Sequence, residues 1–98
     1  MNDIRYIDAT DQEILRTIGE RLTALRKARG LTQVEAAGRA GLGRNTLYRI
    51  EHGDNPTLHT LIRLLRVYGR LGGLENFIPA VEISPMARLR ERTRKRSG

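Results

Sequence analysis

The chain of 98 residues contains no cysteine, no tryptophan, one phenylalanine and only two serines. Without cysteine it can form no disulfide or thiolate metal site, and thiol catalysis is excluded. The serines, Ser84 and Ser97, lie near the C-terminus, and no phosphate-binding loop or clustered acid and base pair accompanies them. We therefore expect no enzymatic activity. The two histidines, His52 and His59, lack the neighbouring carboxylates of a typical metal site, so we expect them at the surface, with no metal or cofactor.

Long apolar runs are also missing, since none approaches the roughly 20 residues that cross a membrane. The N-terminal residues include several acids where a signal peptide needs basic and then apolar residues. We therefore expect a soluble, cytoplasmic bacterial protein. Leu, Ile, Val and Phe account for 25 residues, which is enough for a small core. A chain of this length buries only about 60 to 70% of its unfolded surface, so dimerisation would add useful buried area.

Positive charge is concentrated at one end of the chain. The net charge is +7, yet residues 1–83 contain 12 cations and 10 anions, whereas residues 84–98 contain six cations and one anion. We divide the chain into an N-terminal extension (1–10), a domain (11–78) and a basic tail (79–98). Three roles for the tail stay open: a solvated segment, an arm that contacts nucleic-acid phosphates or a minor groove, or a segment that folds against a protein partner.

Start and stop signals predict an all-α fold with five helices. Capping boxes begin at Thr10 and Thr32, each with a glutamate three residues later, and glycines follow the expected helix ends. The predicted helices cover residues 11–29, 32–41, 44–52, 58–68 and a final turn at 74–78. Short extended pieces are expected at 4–7 and 77–83. The pair Ser84-Pro85 is typical of a helix start, so the tail is expected to begin as a helix.

The stretch 31–53, LTQVEAAGRAGLGRNTLYRIEHG, contains two short helices joined by a glycine-bearing turn. This is the pattern of a helix-turn-helix, whose second helix enters the major groove of DNA. A helical step of about 100° per residue divides the second helix into two sides. The predicted inner side contains Leu47, Ile50 and Glu51. The predicted outer side contains Asn45, Tyr48, Arg49 and His52.

The outer side contains residue types that recognise bases. Arginine binds guanine O6 and N7 bidentately, and asparagine binds adenine in the same manner. We therefore predict base contacts from Arg44, Asn45 and Arg49. Gln33 and the free amides near Gly43 are expected to bind phosphates. The alternative is a solvated polar face without a ligand.

Residues 18–69 resemble the Xre/Cro-like, lambda-repressor-type helix-turn-helix family. The resemblance lies in an arginine ahead of G-L-T-Q, an alanine late in the second helix, a glycine turn, and I-E-x-G followed by a proline and an apolar helix. It implies five helices, DNA binding and usually a dimer. It also implies a structural pair between Arg26 and Glu51. The full set of expected DNA backbone contacts is Thr32, Gln33, Gly43, Thr46, Tyr48 and Asn55.

Two residues depart from the family pattern. Ala36 stands where the family usually has leucine, which leaves less apolar volume. Gly43 stands where it often has a serine that caps the recognition helix, a change that usually costs only a few tenths of a kcal/mol. Neither departure removes a residue expected to contact bases.

The expected function is that of a repressor that binds a palindromic operator as a homodimer, often at its own promoter. The candidate dimer contacts are Leu74, Phe77, Ile78 and the extended N-terminal piece. The run FIPAVEISPMARLRERTRKR resembles the end of antitoxins paired with HipA-type kinases, so a HipA-like toxin is a candidate partner. Phage repressors and restriction-modification controllers are the other candidate classes. The alternative function is a protein-interaction module whose tail binds nucleic acid without sequence preference.

Overall fold

The computed structural model of the protein describes residues 4–82, 85–86 and 89–92. Within these residues it contains helices and no strand, which confirms the predicted all-α class. Its α-helices are α1 (Asp11–Ala28), α2 (Gln33–Ala40), α3 (Arg44–Glu51), α4 (Leu58–Val67) and α5 (Leu74–Phe77). Short 3-10 helices cover Tyr6–Asp8 and Leu71–Gly73. Across the described part of the chain, no helix is both long and apolar enough to span a membrane.

The first two helices begin at the capping boxes that the sequence predicts. The Thr10 side chain accepts a hydrogen bond from the Glu13 amide, and the Glu13 carboxylate accepts one from the Thr10 amide. Thr32 and Glu35 make the same reciprocal pair at the start of α2. The backbone and side-chain hydrogen bonds from Thr32 lower the pKa of the Glu35 carboxyl. Because each box satisfies amides that a helix start leaves unpaired, both helices begin at the expected residue.

Gly41 ends α2 and begins the turn into α3. Its φ of 70° lies in the left-handed region, which glycine adopts without the steric cost that a side chain brings. The Leu42 amide donates back to the Ala37 carbonyl at 2.8 Å, which closes the end of α2. Gly43 is the N-cap of α3 and supplies no side-chain acceptor. The turn therefore leaves the amides of the first α3 turn without a side-chain cap.

The core lies where the first four helices meet. Its largest fully buried side chains are Leu47, Leu64 and Tyr68. The buried side of α2 consists of Ala36, Ala37 and Ala40. Because alanine projects little from a helix, α2 packs closely against both α3 and α4. Ala36 stands where the helix-turn-helix family that the sequence resembles usually has leucine. It is completely buried, so the surrounding helices pack closely around its smaller side chain.

The extended piece predicted at 4–7 is correct at Arg5, whose backbone is extended, and wrong from Tyr6 onward. Tyr6–Asp8 forms a 3-10 helix instead. Two local contacts hold this turn: Arg5 pairs with Asp8 at 3.5 Å, and the Arg21 guanidinium lies 5.3 Å from the centre of the Tyr6 ring. The second contact ties the N-terminal extension to α1.

The extended piece predicted at 77–83 is found in part among the described residues, since the backbone of Ile78 is extended with φ −128° and ψ 93°, but it does not include Phe77. Phe77 is the last residue of α5, and residues 78–82 form no strand, while residue 83 lies outside the described residues. A short apolar run does not distinguish a strand from a helix by its pattern alone. Residues 85–86 and 89–92 have helical backbone, as expected for the start of the tail. Ser84, its predicted cap, lies outside the described residues.

Candidate nucleic-acid interface

Helices α2 and α3, joined by residues 41–43, form the helix-turn-helix that the sequence predicts. The inner side of α3 is confirmed, because Leu47, Ile50 and Glu51 are all buried. The outer side is exposed along the whole length of α3. Its exposed residues are Arg44, Asn45, Tyr48 and Arg49, followed by the C-cap residue His52. The structure therefore fixes one side of α3 in the core and leaves the opposite side open to a ligand.

The three predicted base contacts all lie on this open side. Arg44 and Asn45 occupy the first turn of α3, and Arg49 follows one turn later. Arg49 makes one long ion pair, with Nε 4.0 Å from Asp54 Oδ2 and both side chains more than 60% exposed. An exposed pair of this kind contributes only about 0 to 1 kcal/mol. The Arg49 guanidinium can therefore move from Asp54 to a ligand at little cost.

Tyr48 and His52 form a stacked aromatic pair beside Arg49, a feature that the sequence analysis did not anticipate. Their ring centres are 4.1 Å apart with an angle of 27° between the planes. His52 Nδ1 also lies 2.8 Å from the Tyr48 carbonyl oxygen. The signal was present in the sequence, since residues four apart on a helix are neighbours. The stack holds the Tyr48 ring along the exposed surface, where its hydroxyl can serve as a hydrogen-bond donor.

Gln33 was predicted to bind phosphate, and the structure gives its amide an internal partner. Its Nε2 donates to Glu51 Oε1 at 3.0 Å, so the start of α2 is bonded to the end of α3. An amide nitrogen has two donors, and one remains for a ligand. Thr32 is exposed and its hydroxyl accepts the α2 capping bond. These bonds orient the N-terminus of α2 beside α3.

Arg26 and Glu51 form the predicted structural pair. Arg26 Nε donates to Glu51 Oε2 at 2.8 Å and Nη2 donates to Oε1 at 3.1 Å. Nη1 donates to the Leu31 carbonyl at 2.9 Å, so one guanidinium joins α1, the loop before α2, and α3. Burial raises the pKa of the Glu51 carboxyl, but hydrogen bonds from Arg26, Gln33 and Thr23 outweigh it and leave that pKa below its usual value. Both partners are therefore charged and paired inside the fold.

Two further predicted residues, Thr46 and Asn55, line one shallow cavity beside α3 together with Arg49. The cavity has a volume of about 210 Å³. The rest of its lining includes Asp54, which pairs with Arg49, and the start of α4, where the Thr57 hydroxyl accepts a hydrogen bond from the Thr60 amide. The cavity thus joins the end of α3 to the N-terminus of α4, a place where amides and hydroxyls favour phosphate oxygens.

No group of three or more histidine, aspartate or glutamate side chains that could hold a metal ion occurs among the described residues. Both histidines are exposed, as predicted. His52 stacks on Tyr48, and His59 Nε2 accepts a hydrogen bond from Arg63 Nε at 3.2 Å.

The comparisons with known proteins match this chain to a domain family and to a phage protein. A family model described as a helix-turn-helix domain matches residues 17–76. The immunity repressor protein of Bacillus phage phi105 is 50% identical to this chain over 46 residues. That segment is 46% of this chain and 32% of the phage protein, so the match covers about a third of that relative's length.

Proposed function

The chain belongs to the helix-turn-helix domain family, whose model covers residues 17–76, and from this premise we propose that it is a sequence-specific DNA-binding transcriptional repressor. The observation that carries the proposal is the open side of α3, which presents Arg44, Asn45 and Arg49 while the opposite side is buried. The similarity to a phage immunity repressor supports repression as the outcome of binding. Repression would follow from occupation of a promoter.

In this proposal α3 enters the major groove and its open side contacts base edges. Arg44 and Arg49 are suited to guanine and Asn45 to adenine. The N-termini of α2, α3 and α4 lie around the groove edges and contact phosphates. The residues proposed for these backbone contacts are Thr32, Gln33, Gly43, Thr46, Tyr48 and Asn55. Because Gln33 is bonded to Glu51, the backbone contacts and the base contacts are held in one rigid unit.

Selection of bound duplexes from a random DNA pool tests the proposal at about 150 mM salt, where binding to the phosphate backbone alone is weak. We expect one enriched palindrome with half-site centres about 10 bp apart. Arg49→Ala should weaken binding to that site about 30-fold, equivalent to about 2 kcal/mol, because each half-site loses one bidentate base contact worth about 1 kcal/mol. The variant should also lose its preference at one base pair of each half-site in a second selection.

Arg16→Ala is the matched control, because it removes the same charge from an exposed position on α1, outside α3, the cavity lined by Thr46 and the other described cavities. We expect it to select the wild-type motif. Selection of no motif by the wild-type protein would contradict the proposal, as would selection of an identical motif by Arg49→Ala. Either result would favour a protein-interaction module.

We also propose that the repressor is a homodimer, with the two α3 helices about 34 Å apart. An apolar groove of about 570 Å³ supports this proposal. Its lining includes leucines from α1 and α4 together with Tyr6, Leu74 and Phe77. Phe77 and Ile78 are 61% and 71% exposed. A second copy that covers this surface would bury them and extend a small core.

The dimer is tested by analytical ultracentrifugation of the variant Phe77→Ser. Each copy should lose about 1 kcal/mol of apolar burial, so the dissociation constant of the dimer should rise about 30-fold. Val34→Ser is the control, since Val34 is 62% exposed and lies on α2, outside the groove. If both variants have the same dissociation constant, the apolar groove is not the dimer contact and this proposal is wrong.

The HipA-like partner predicted from the C-terminal sequence stays a prediction. What supports a protein partner here is the exposure of apolar side chains beyond α5. Ile78, Val81, Met86 and Leu89 are each more than half exposed. Copurification with a coexpressed kinase-like toxin tests this role.

A further inference from the structure

A second cavity, distinct from the α3 surface, lies between the end of α2 and the exposed side of α4. Its volume is about 430 Å³. The lining includes three arginines and one histidine: Arg39 from α2, and His59, Arg63 and Arg66 from α4. No aspartate or glutamate belongs to the described lining. A concave site with three guanidinium groups and no carboxylate has the electrostatics of an anion site.

These arginines have no carboxylate partner at ion-pair distance in the described part of the chain. Arg5, Arg26 and Arg49 each pair with an acid within 4.0 Å, whereas Arg39, Arg63 and Arg66 form no such pair there. The charge of Arg39 acts on Glu35, one turn earlier on α2, without an ion pair between them. The positive charges of these three arginines repel one another. An anion placed between them would be attracted by all three and would offset this repulsion.

One of the guanidinium groups is already positioned. Arg63 Nε donates to His59 Nε2 at 3.2 Å, a bond between residues four apart on α4. On its other side, a Cβ at Gly41 would lie 3.2 Å from Arg63 Nη1, so the guanidinium lies against the turn that ends α2. The left-handed backbone of Gly41 and this close approach both favour glycine there. Arg63 is thus held at the cavity without a carboxylate.

The C-terminus of α2 disfavours binding of an anion in the cavity, but its repulsion of the anion is weaker than the attraction by the arginines. A helix C-terminus carries about half a negative charge, and the Gly41 amide already bonds to the last α2 carbonyls. Three full positive charges outweigh this fraction. The cavity shares no lining residue with the open side of α3 or with the cavity that contains Thr46.

We propose that this basic cavity binds a free phosphorylated small molecule with at least two phosphate groups. Guanidinium groups bind phosphate oxygens bidentately, and three of them match a diphosphate better than a single phosphate. The volume lies within the roughly 300 to 1,000 Å³ of small-molecule sites. Ile62 adds an apolar surface at the wall, which suits a ligand that carries more than phosphate. This site is independent of the proposed DNA contacts.

Isothermal titration of the full chain with inorganic pyrophosphate tests the proposal at about 150 mM salt, which screens weak binding to exposed charges. We expect saturable binding, and a loss of about tenfold in affinity for Arg63→Ala, because a charge-assisted bidentate contact is removed. Arg66→Ala, at an exposed position, is a second variant with the same expected direction. Arg16→Ala is the control, since Arg16 is exposed on α1 and lies outside the cavity.

Two results would overturn the proposal. One is the absence of saturable pyrophosphate binding at millimolar concentration. The other is equal affinity in wild type, Arg63→Ala and Arg16→Ala, which would assign the binding to other cations of the chain. In the first case, weaker binding of Arg63→Ala to all DNA duplexes alike would assign the cavity to contact with the DNA backbone. Thermal melting of each variant verifies that it is folded.

Discussion

Arg26→Ala is expected to lower the free energy of unfolding by about 3 to 5 kcal/mol, because it leaves the buried Glu51 carboxylate without its partner. Both side chains are almost completely buried, and two short hydrogen bonds join them. The same substitution removes the donor to the Leu31 carbonyl. A domain of this size has a total stability of about 5 to 15 kcal/mol, so the loss is a large fraction of it. Urea unfolding followed by circular dichroism measures the change.

Two variants make this result specific. Arg49→Ala breaks the exposed pair with Asp54 and should change stability by less than about 1 kcal/mol. The double variant Arg26→Met/Glu51→Leu replaces both buried charges by apolar side chains and should recover most of the lost stability. If Arg26→Ala is no more destabilising than Arg49→Ala, the buried pair does not have the role assigned to it.

Gly19→Ala is expected to destabilise the protein by about 3 kcal/mol, because the added methyl group has no space. A Cβ at Gly19 would lie 2.6 Å from the Ile50 carbonyl oxygen and 2.7 Å from that of Glu51. Both are backbone atoms, so α1 and α3 would have to separate. Helix propensity alone predicts the opposite sign, since alanine is favoured over glycine inside a helix by about 1 kcal/mol. Thermal and urea unfolding distinguish the two signs.

Gly38→Ala provides the matched comparison within the same protein. Gly38 lies inside α2, is exposed, and has open space around a Cβ. At Gly38 the substitution changes only the helix propensity, so the free energy of unfolding should rise by about 0.5 to 1 kcal/mol. Equal effects of the two substitutions would mean that the close approach of α1 to α3 is not rigid.

The positions of the helices and the open side of α3 could be predicted from the sequence because they depend on local signals. The boxes at Thr10 and Thr32 act within three residues, and the inner and outer sides of α3 follow from helical periodicity. The pairing of Arg26 with Glu51, 25 residues apart, was available only through resemblance to a family.

Features that depend on two distant backbones could not be predicted in this way. Gly19 looks like an ordinary helix interior until the end of α3 is placed against it. Gln33 was assigned to phosphate because nothing in its neighbourhood revealed Glu51 as a partner 18 residues away. The basic cavity also depends on a tertiary contact, since only the packing of α2 on α4 brings Arg39 to the arginines of α4.

The bonds of Glu51 to Arg26 and Gln33 have a consequence for genetics. The orientation of the proposed DNA-binding helix is set by residues that never reach its exposed side. Substitutions at such inner positions would therefore appear in a screen as loss-of-repression alleles. They would differ from substitutions on the outer side by their dependence on growth temperature, because they act through the folded population. Temperature sensitivity would thus distinguish substitutions at the inner positions that orient α3 from substitutions on its exposed side.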